Sequence, residues 1–408
     1  MKRLMLLTVA GVFSLMLFAC GKPNAEGSDV NSEIQSSIDL QAESDAEDQM
    51  DNEEAAQVQQ QKKDYIVSNE IDDSIEYENY HIWYENSVDD YPFNVVGDVE
   101  LPASFQKDGI WYKVVGISEA GFKNREEITS LSIPGTVEEL RKFSVSSCEN
   151  LESVYIAEGV TQILYGAFSH CTNLTSIHFP DSLEILSPTA LDSCTALEEI
   201  YIPKNTLIFD PSTDEADVEN VTYFGNCRSL QNIVVDDDNP YHKSVDGVLY
   251  NADMTSLLRF PPAKEMESFV VPETVTSIAA GAFVDSRITN IVLHDNITFI
   301  GNSAFSGTNI AELELPKNLS VIKRDLCNCC MNLKKVTLQD SVIIIEKEAF
   351  SYCTSLEELV IPDSVEEFLD ELLLVGQYNK EDWKGITWKG QKYDTVEEFL
   401  SAWKAAHE

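Results

Sequence analysis

The chain has 408 residues, with 28 basic against 70 acidic side chains and a formal net charge of −42. That balance excludes nucleic acid and anionic membrane surfaces as partners, because both are held by clustered Lys and Arg. Hydrophobic residues make up 43%, enough for two or three ordinary domains or one elongated array, and no cofactor is implied.

The first twenty residues, "MKRLMLLTVAGVFSLMLFAC", carry Lys2 and Arg3 and then an apolar run from Leu4 to Phe18. That run is about five residues short of the roughly 20 that span a bilayer. Two charges, a short apolar core and a small residue at the cut site read as an export signal over residues 1–19. Leu17-Phe18-Ala19-Cys20 resembles a bacterial lipobox, which makes Cys20 the lipidated residue; Phe18 departs from the small residue usual there. The alternative is cleavage after Ala19 with a secreted product. Residues 20–64 follow as an acidic tether: 21–64 hold twelve Asp or Glu against three Lys and no aromatic residue. Such a composition cannot offset the entropy of ordering, so disorder is expected.

Residues 65–95 are rich in Tyr and Trp and are expected to form one or two strands, an N-terminal cap. From 96 to 365 the chain repeats itself. "GAFSHCTNLTSIHFPDSL" at 166–183 returns at 348–365 as "EAFSYCTSLEELVIPDSV". Aligned on an apolar residue at position 1, with others at 4 and 6, units begin at Ile128, Leu151, Leu174, Leu197, Leu230, Met266, Ile288, Ile310, Leu333 and Leu356. A degenerate unit starts near Val96. Regular units are 22 or 23 residues long. Positions 4 and 6 alternate with polar neighbours as a short half-buried strand requires. Pro at position 7 (Pro134, Pro180, Pro203, Pro272, Pro316, Pro362) ends that strand. Apolar positions 10 and 13 and an Ala-Phe pair at 17 and 18 turn the chain back and fill the coil. One unit alone leaves a face unburied; stacking covers it, which is why the text recurs. The expected fold class is an α/β-type repeat solenoid, a right-handed superhelix with its short parallel strands on the concave side. Residues 245–264 insert a hairpin whose turn is Asp246-Gly247.

Of nine cysteines, Cys148, Cys171, Cys194, Cys227, Cys330 and Cys353 fall at position 21, where Ser286 and Thr308 stand in elsewhere. They read as buried free thiols, with no disulfide between neighbours and Cys20 as the sole exposed cysteine. Cys327, Cys329 and Cys330 form C-x-C-C, but no second Cys pair or nearby His completes a zinc spacing. The loop 236–247 fails as an EF-hand, with Pro240 and Tyr241 at positions 5 and 6; a looser calcium loop stays open. No catalytic motif is found, so no enzyme activity is expected, and the six His residues (81, 170, 178, 242, 294, 407) are scattered.

Residues 366–408 are expected to cap the other end. A hairpin should turn at Gly390-Gln391, and a helix should begin with the capping box Thr395/Glu398. That helix carries Val396, Phe399, Leu400 and Trp403 on one face.

The string AF-x-x-C-x-x-L-x-x-I-x-I-P and the 245–264 insertion together resemble the BspA-like leucine-rich repeat proteins of bacterial and protozoan surfaces, over about residues 96–365. The resemblance implies surface binding or adhesion and names no ligand. The expectation is a monomeric protein, lipid-anchored at Cys20 and exposed on the cell envelope, that binds a protein or glycan through its strand-lined face. A structural envelope protein without a ligand is the alternative, and an accessory module to surface enzymes is a weaker one. The candidate contact residues lie at position 5, which points out between buried 4 and 6. Tyr155, His178 and Tyr201 form an aromatic stripe, expected to stack roughly 5 Å apart, with Glu152, Glu198 and Glu199 flanking it.

Overall fold

The computed structural model describes residues 66–68, 77–82, 95–209, 221–368 and 385–407, all within the compact unit Val58–Glu408. The expected signal segment, Cys20 and the expected tether lie outside the described residues, as do parts of both expected caps.

The repeat is a parallel-strand solenoid of about eleven coils among the described residues. Each coil contributes two strands, where the sequence showed one. The first lies at positions 3–6, as in Ser153–Ile156 with Val154 and Ile156 buried and Tyr155 exposed. The second is only two residues long, at positions 12–13, as in Gln162–Ile163 and Ile185–Leu186. Both ladders pair in parallel from coil to coil: Val154 opposes Leu131 and Ile177, and Ile163 opposes Leu140 and Leu186. Between them lies a dry interior. Position 18 supplies Phe122, Phe168, Phe224, Phe260, Phe283, Phe305 and Phe350, all fully buried.

The returning limb is built from turns, and the sole α-helix among the described residues is Val396–His407, so the fold holds far less helix than an α/β label suggests. The turns use left-handed backbone twice in many coils. Position 20 is one such place: Ser147, His170, Ser193, Asp285, Cys329 and Tyr352 all have φ between 56° and 63°. Coils also approach closely at Gly135 and Gly159, where a Cβ on Gly135 would sit 1.7 Å from the Glu158 carbonyl oxygen.

The expected insertion is a hairpin of His242–Val245 and Val248–Asn251, its turn residues Asp246 and Gly247 at φ 49° and 75°. A second one, not foreseen, sits in the first coil: Ser104–Lys107 pairs with Ile110–Ile117 around Asp108-Gly109. Near the C-terminus, Ile386–Trp388 extends the first ladder and pairs back on Gln391–Tyr393. Trp388 opposes Gln391, so the turn is Lys389-Gly390, one residue earlier than the sequence suggested. Glu398 N donates to Thr395 Oγ1 at 3.2 Å, and Phe399 packs edge-on to Trp388 and Tyr393.

Candidate functional site

The first ladder presents positions 3 and 5 to solvent, because side chains alternate along each strand while 4 and 6 fill the core. In the first coils position 3 is a column of serines, Ser130, Ser153 and Ser176, with position 5 beside it. Together with Asp98 and Glu100 they line a trough of about 590 Å³. Ser130 Oγ donates to Asp98 Oδ1 at 2.7 Å, and Thr129 Oγ1 donates to the same oxygen at 3.2 Å. Sequence reasoning missed this polar column; its signal was position 3, two residues before position 5 and so on the same face.

The expected aromatic stripe is present as a pair and a separate ring. Tyr155 and His178 stack face to face, centroids 5.0 Å apart and planes 4° from parallel. The first ladder then stops between Ser176–His178 and Glu199–Ile202. Tyr201, beyond that break, turns to the following coil and donates its hydroxyl to Asp236 Oδ2 at 2.7 Å. Donation to Asp236 and the surrounding carboxylates push the Tyr201 hydroxyl up to about 12, while the same bond holds the Asp236 carboxyl below its usual range. Three flanking carboxylates, Glu152, Glu198 and Glu199, are exposed. A second gap, where both ladders stop between coils 288 and 310, leaves a cleft of about 360 Å³ lined by Asn290, Val292, Glu312, Glu314 and Lys335.

The cysteine column does structural work. Each position-21 thiol is buried and donates to the position-18 carbonyl of the preceding coil: Cys148 to Phe122 O at 3.0 Å, Cys171 to Val145 O and Cys194 to Phe168 O at 3.2 Å, Cys227 to Leu191 O at 3.1 Å. Cys330 and Cys353 do the same to Phe305 O and Cys327 O at 3.0 Å. Thr308 keeps the hydroxyl version, donating to Phe305 O within its own coil at 2.8 Å. Burial pushes the Cys194 thiol well up and takes Cys227 to about 12. The C-x-C-C string is spread over positions 18, 20 and 21, and the buried Cys327 and Cys330 thiols lie close enough to interact. Cys329, at the left-handed position, is half-buried where the other described cysteines are buried. No group of three or more His, Cys, Asp or Glu among the described residues is arranged to hold a metal ion.

A profile for the BspA-type leucine-rich repeat region matches residues 115–238 and 259–373 in six copies, more than half of the chain. The chain belongs to the BspA-type leucine-rich repeat family. No curated protein matches it. Among solved structures it is similar to a leucine-rich cell surface protein of Faecalibacterium prausnitzii, 23% identical with a TM-score of 0.50, over 67% of this chain and 84% of that one. It is also similar to the pneumococcal vaccine antigen PcpA, 19% identical with a TM-score of 0.55, over 82% of this chain and 88% of that one. At these identities the likeness shows the fold.

Proposed function

We propose that this is a surface-displayed binding protein, anchored by lipid at Cys20, held out from the envelope by the acidic tether, and recognising a protein or glycan through its first-ladder face. The observation that carries the reading is the exposure of Tyr155, His178 and Tyr201 at a position where the same fold uses Ser132 and Thr337 in other coils. Rings there are not required by packing. The cell-surface description of the Faecalibacterium protein supports the location. Recognition without chemistry accounts for a repeat whose buried positions, Asn239, His242 and Arg259 apart, are filled by apolar side chains, thiols and hydroxyls. A screen of the full-length chain against matrix proteins, mucins and cell-wall polymers tests it, with the double variant Tyr155→Ser, Tyr201→Ser as the site control. Binding lost in that variant at an unchanged melting temperature is the expected result; binding unchanged would move the site elsewhere. For the anchor, Cys20→Ala should release the protein from the membrane fraction, and unaltered fractionation would overturn it.

A further inference from the structure

The exposed column does not end at Tyr201. Position 5 continues with Val234, Val270 and Val292, so six successive coils carry an aromatic or apolar-edged side chain at one outward position. Val270 is 66% exposed, Tyr155 53%, Val292 44% and Val234 37%. Solvent-facing strand positions ordinarily take polar residues, and Glu314 takes this one in the very next coil. Three of the five steps are paired strands roughly 5 Å apart, Tyr155 to His178, Tyr201 to Val234 and Val270 to Val292. The ladder is interrupted at the other two steps, so the strip is on the order of 25 Å long or more, the reach of at least seven or eight extended residues. Acidic side chains border it on both sides. Glu152, Glu198 and Glu267 stand exposed at position 2, Glu199 at position 3, and Asp237 and Asp238 beyond the strand end. Lys204, past the strand end of the Tyr201 coil, is already paired with Asp181 at 2.9 Å, and the hairpin beside Val235 adds one exposed Lys, Lys243.

We infer that this strip seats a cationic polypeptide segment with apolar residues along one side and Lys or Arg along the other. The inference rests on the strand-face reading above and selects between its two partner classes. The apolar column supplies the non-polar contact, and the carboxylate borders complement the charge and speed the encounter. A glycan fits less well for a geometric reason. A sugar ring stacks on an aromatic face, but Tyr155 and His178 each give one face to the other, and Tyr201 stands apart. Acidic glycans would in addition meet like charge on both borders.

The test uses the full-length chain and fluorescence anisotropy with a labelled twelve-residue Lys-Val alternating peptide. Comparators are Glu-Val and Lys-Gly peptides of the same length and a neutral glucan hexasaccharide. The Lys-Val peptide should bind and weaken as salt rises from about 0.05 to 0.5 M. It should also weaken about tenfold or more in Val234→Ser, Val270→Ser, Val292→Ser, which installs the residue that Ser132 already places in this column. A single Val270→Lys at the most exposed point gives a second route to the same loss should the triple variant melt early. Ile343→Ser, an exposed apolar residue near the second ladder, should bind as wild type. Equal binding of Lys-Gly and Lys-Val, or full binding by both valine variants, overturns the inference. If the saccharide or Glu-Val peptide binds instead, and Tyr155→Ser, Tyr201→Ser abolishes it, the strand-face reading survives and the cationic partner does not. If no probe binds, the cationic-partner inference falls, and the strand-face reading is decided by the screen of matrix proteins, mucins and cell-wall polymers.

Discussion

At the scale of single residues, one coil position explains much of the sequence's peculiarity. Where position 18 holds Phe in consecutive coils the rings stack: Phe283 lies 5.2 Å from Phe260 and 5.5 Å from Phe305, centroid to centroid. Truncating it removes a fully buried side chain and two stacking partners, so Phe283→Ala should cost roughly 3–5 kcal/mol. Phe350→Ala, whose neighbour in the column is Cys327, should fall at the lower end of that range; chemical denaturation of the two variants gives the comparison. Position 21 is polar for a related reason. A thiol is small enough for the core and adds a second donor to a carbonyl that already accepts a backbone N–H, as Phe168 O does from Cys171 N; Thr308 can take that role with its hydroxyl, and a disulfide is not needed. All six are buried away from reagents, and burial raises the Cys194 and Cys227 thiols, which makes those two poor nucleophiles as well. Brief treatment of the native protein with iodoacetamide near pH 8 should therefore modify Cys329 ahead of every position-21 cysteine, and denaturation should open all of them. Mass spectrometry reads the order, and early labelling of Cys194 or Cys227 would contradict the packing.

At the scale of elements, the 245–264 insertion proves to be a partition. Its strands Val248–Asn251 and Ser256–Arg259 are buried on both faces. Leu249 and Leu258 belong to the core on one side, Val248, Tyr250 and Leu257 to the core on the other. The partition carries unusual polar groups. Arg259 is fully buried and donates from Nη1 to Gly281 O at 2.5 Å. Desolvation pushes the Asp192 carboxyl up to about 7, against the Gly225 N–H that donates to it and the charge of Arg259. Desolvation also takes buried His242, whose Nε2 accepts from Ile208 N at 2.9 Å, down to about 4. The two act in opposite directions. Folded Asp192 holds its proton longer than the unfolded chain does, so its share of stability falls as pH rises from about 4 to 7. Folded His242 refuses its proton, so its share is lost as pH falls from about 6.5 to 4. Asp192→Asn should accordingly make stability climb more steeply across pH 4–7 than in wild type, and His242→Gln should make it climb less. Urea midpoints measured at several pH values decide this, and parallel curves for all three proteins would remove both groups from the account. Only part of this was legible beforehand. Asp246-Gly247 announced a hairpin because both turn residues need positive φ, and Asp108-Gly109 carried the same signal unread inside a degenerate coil. The second ladder escaped notice because two residues are too few to show an alternation. The aromatic stripe was readable from spacing, but the ladder break that parts Tyr201 from His178 comes from coil-to-coil geometry that no single unit encodes.

At the scale of the whole molecule, that partition bears on how the array comes apart. A solenoid's stability is a sum of coil terms and neighbour interfaces, so it unfolds as one only while every interface is strong. The partition and the step between coils 288 and 310 each interrupt both ladders, whereas the step after Ser176–His178 interrupts only the first. At the partition the buried apolar residues divide into two clusters, one from Ile82 to Leu258 and one from Val248 to Phe399, and the second ladder stops between Leu207–Ile208 and Ser256–Arg259. Between coils 288 and 310 both ladders stop, but there the core is continuous and the turns remain bonded, Ser303 N to Arg324 O and Phe305 N to Leu326 O at 2.9 Å. Lost apolar continuity outweighs a few exposed backbone bonds, each worth about 1 kcal/mol net. The partition is therefore the expected line of separation, and urea should reveal two transitions. Phe168→Ala should lower the midpoint of the N-terminal unit alone, and Phe305→Ala that of the C-terminal unit alone, with hydrogen exchange assigning each. The strip proposed for a cationic partner crosses this line between Val234 and Val270. A segment bound along it would touch both units and tie them, drawing the two transitions together as the Lys-Val peptide is added. If both variants shift one common transition without ligand, the partition couples the cores rather than dividing them. If the peptide raises a single midpoint and leaves the other in place, its seat lies on one side of the partition.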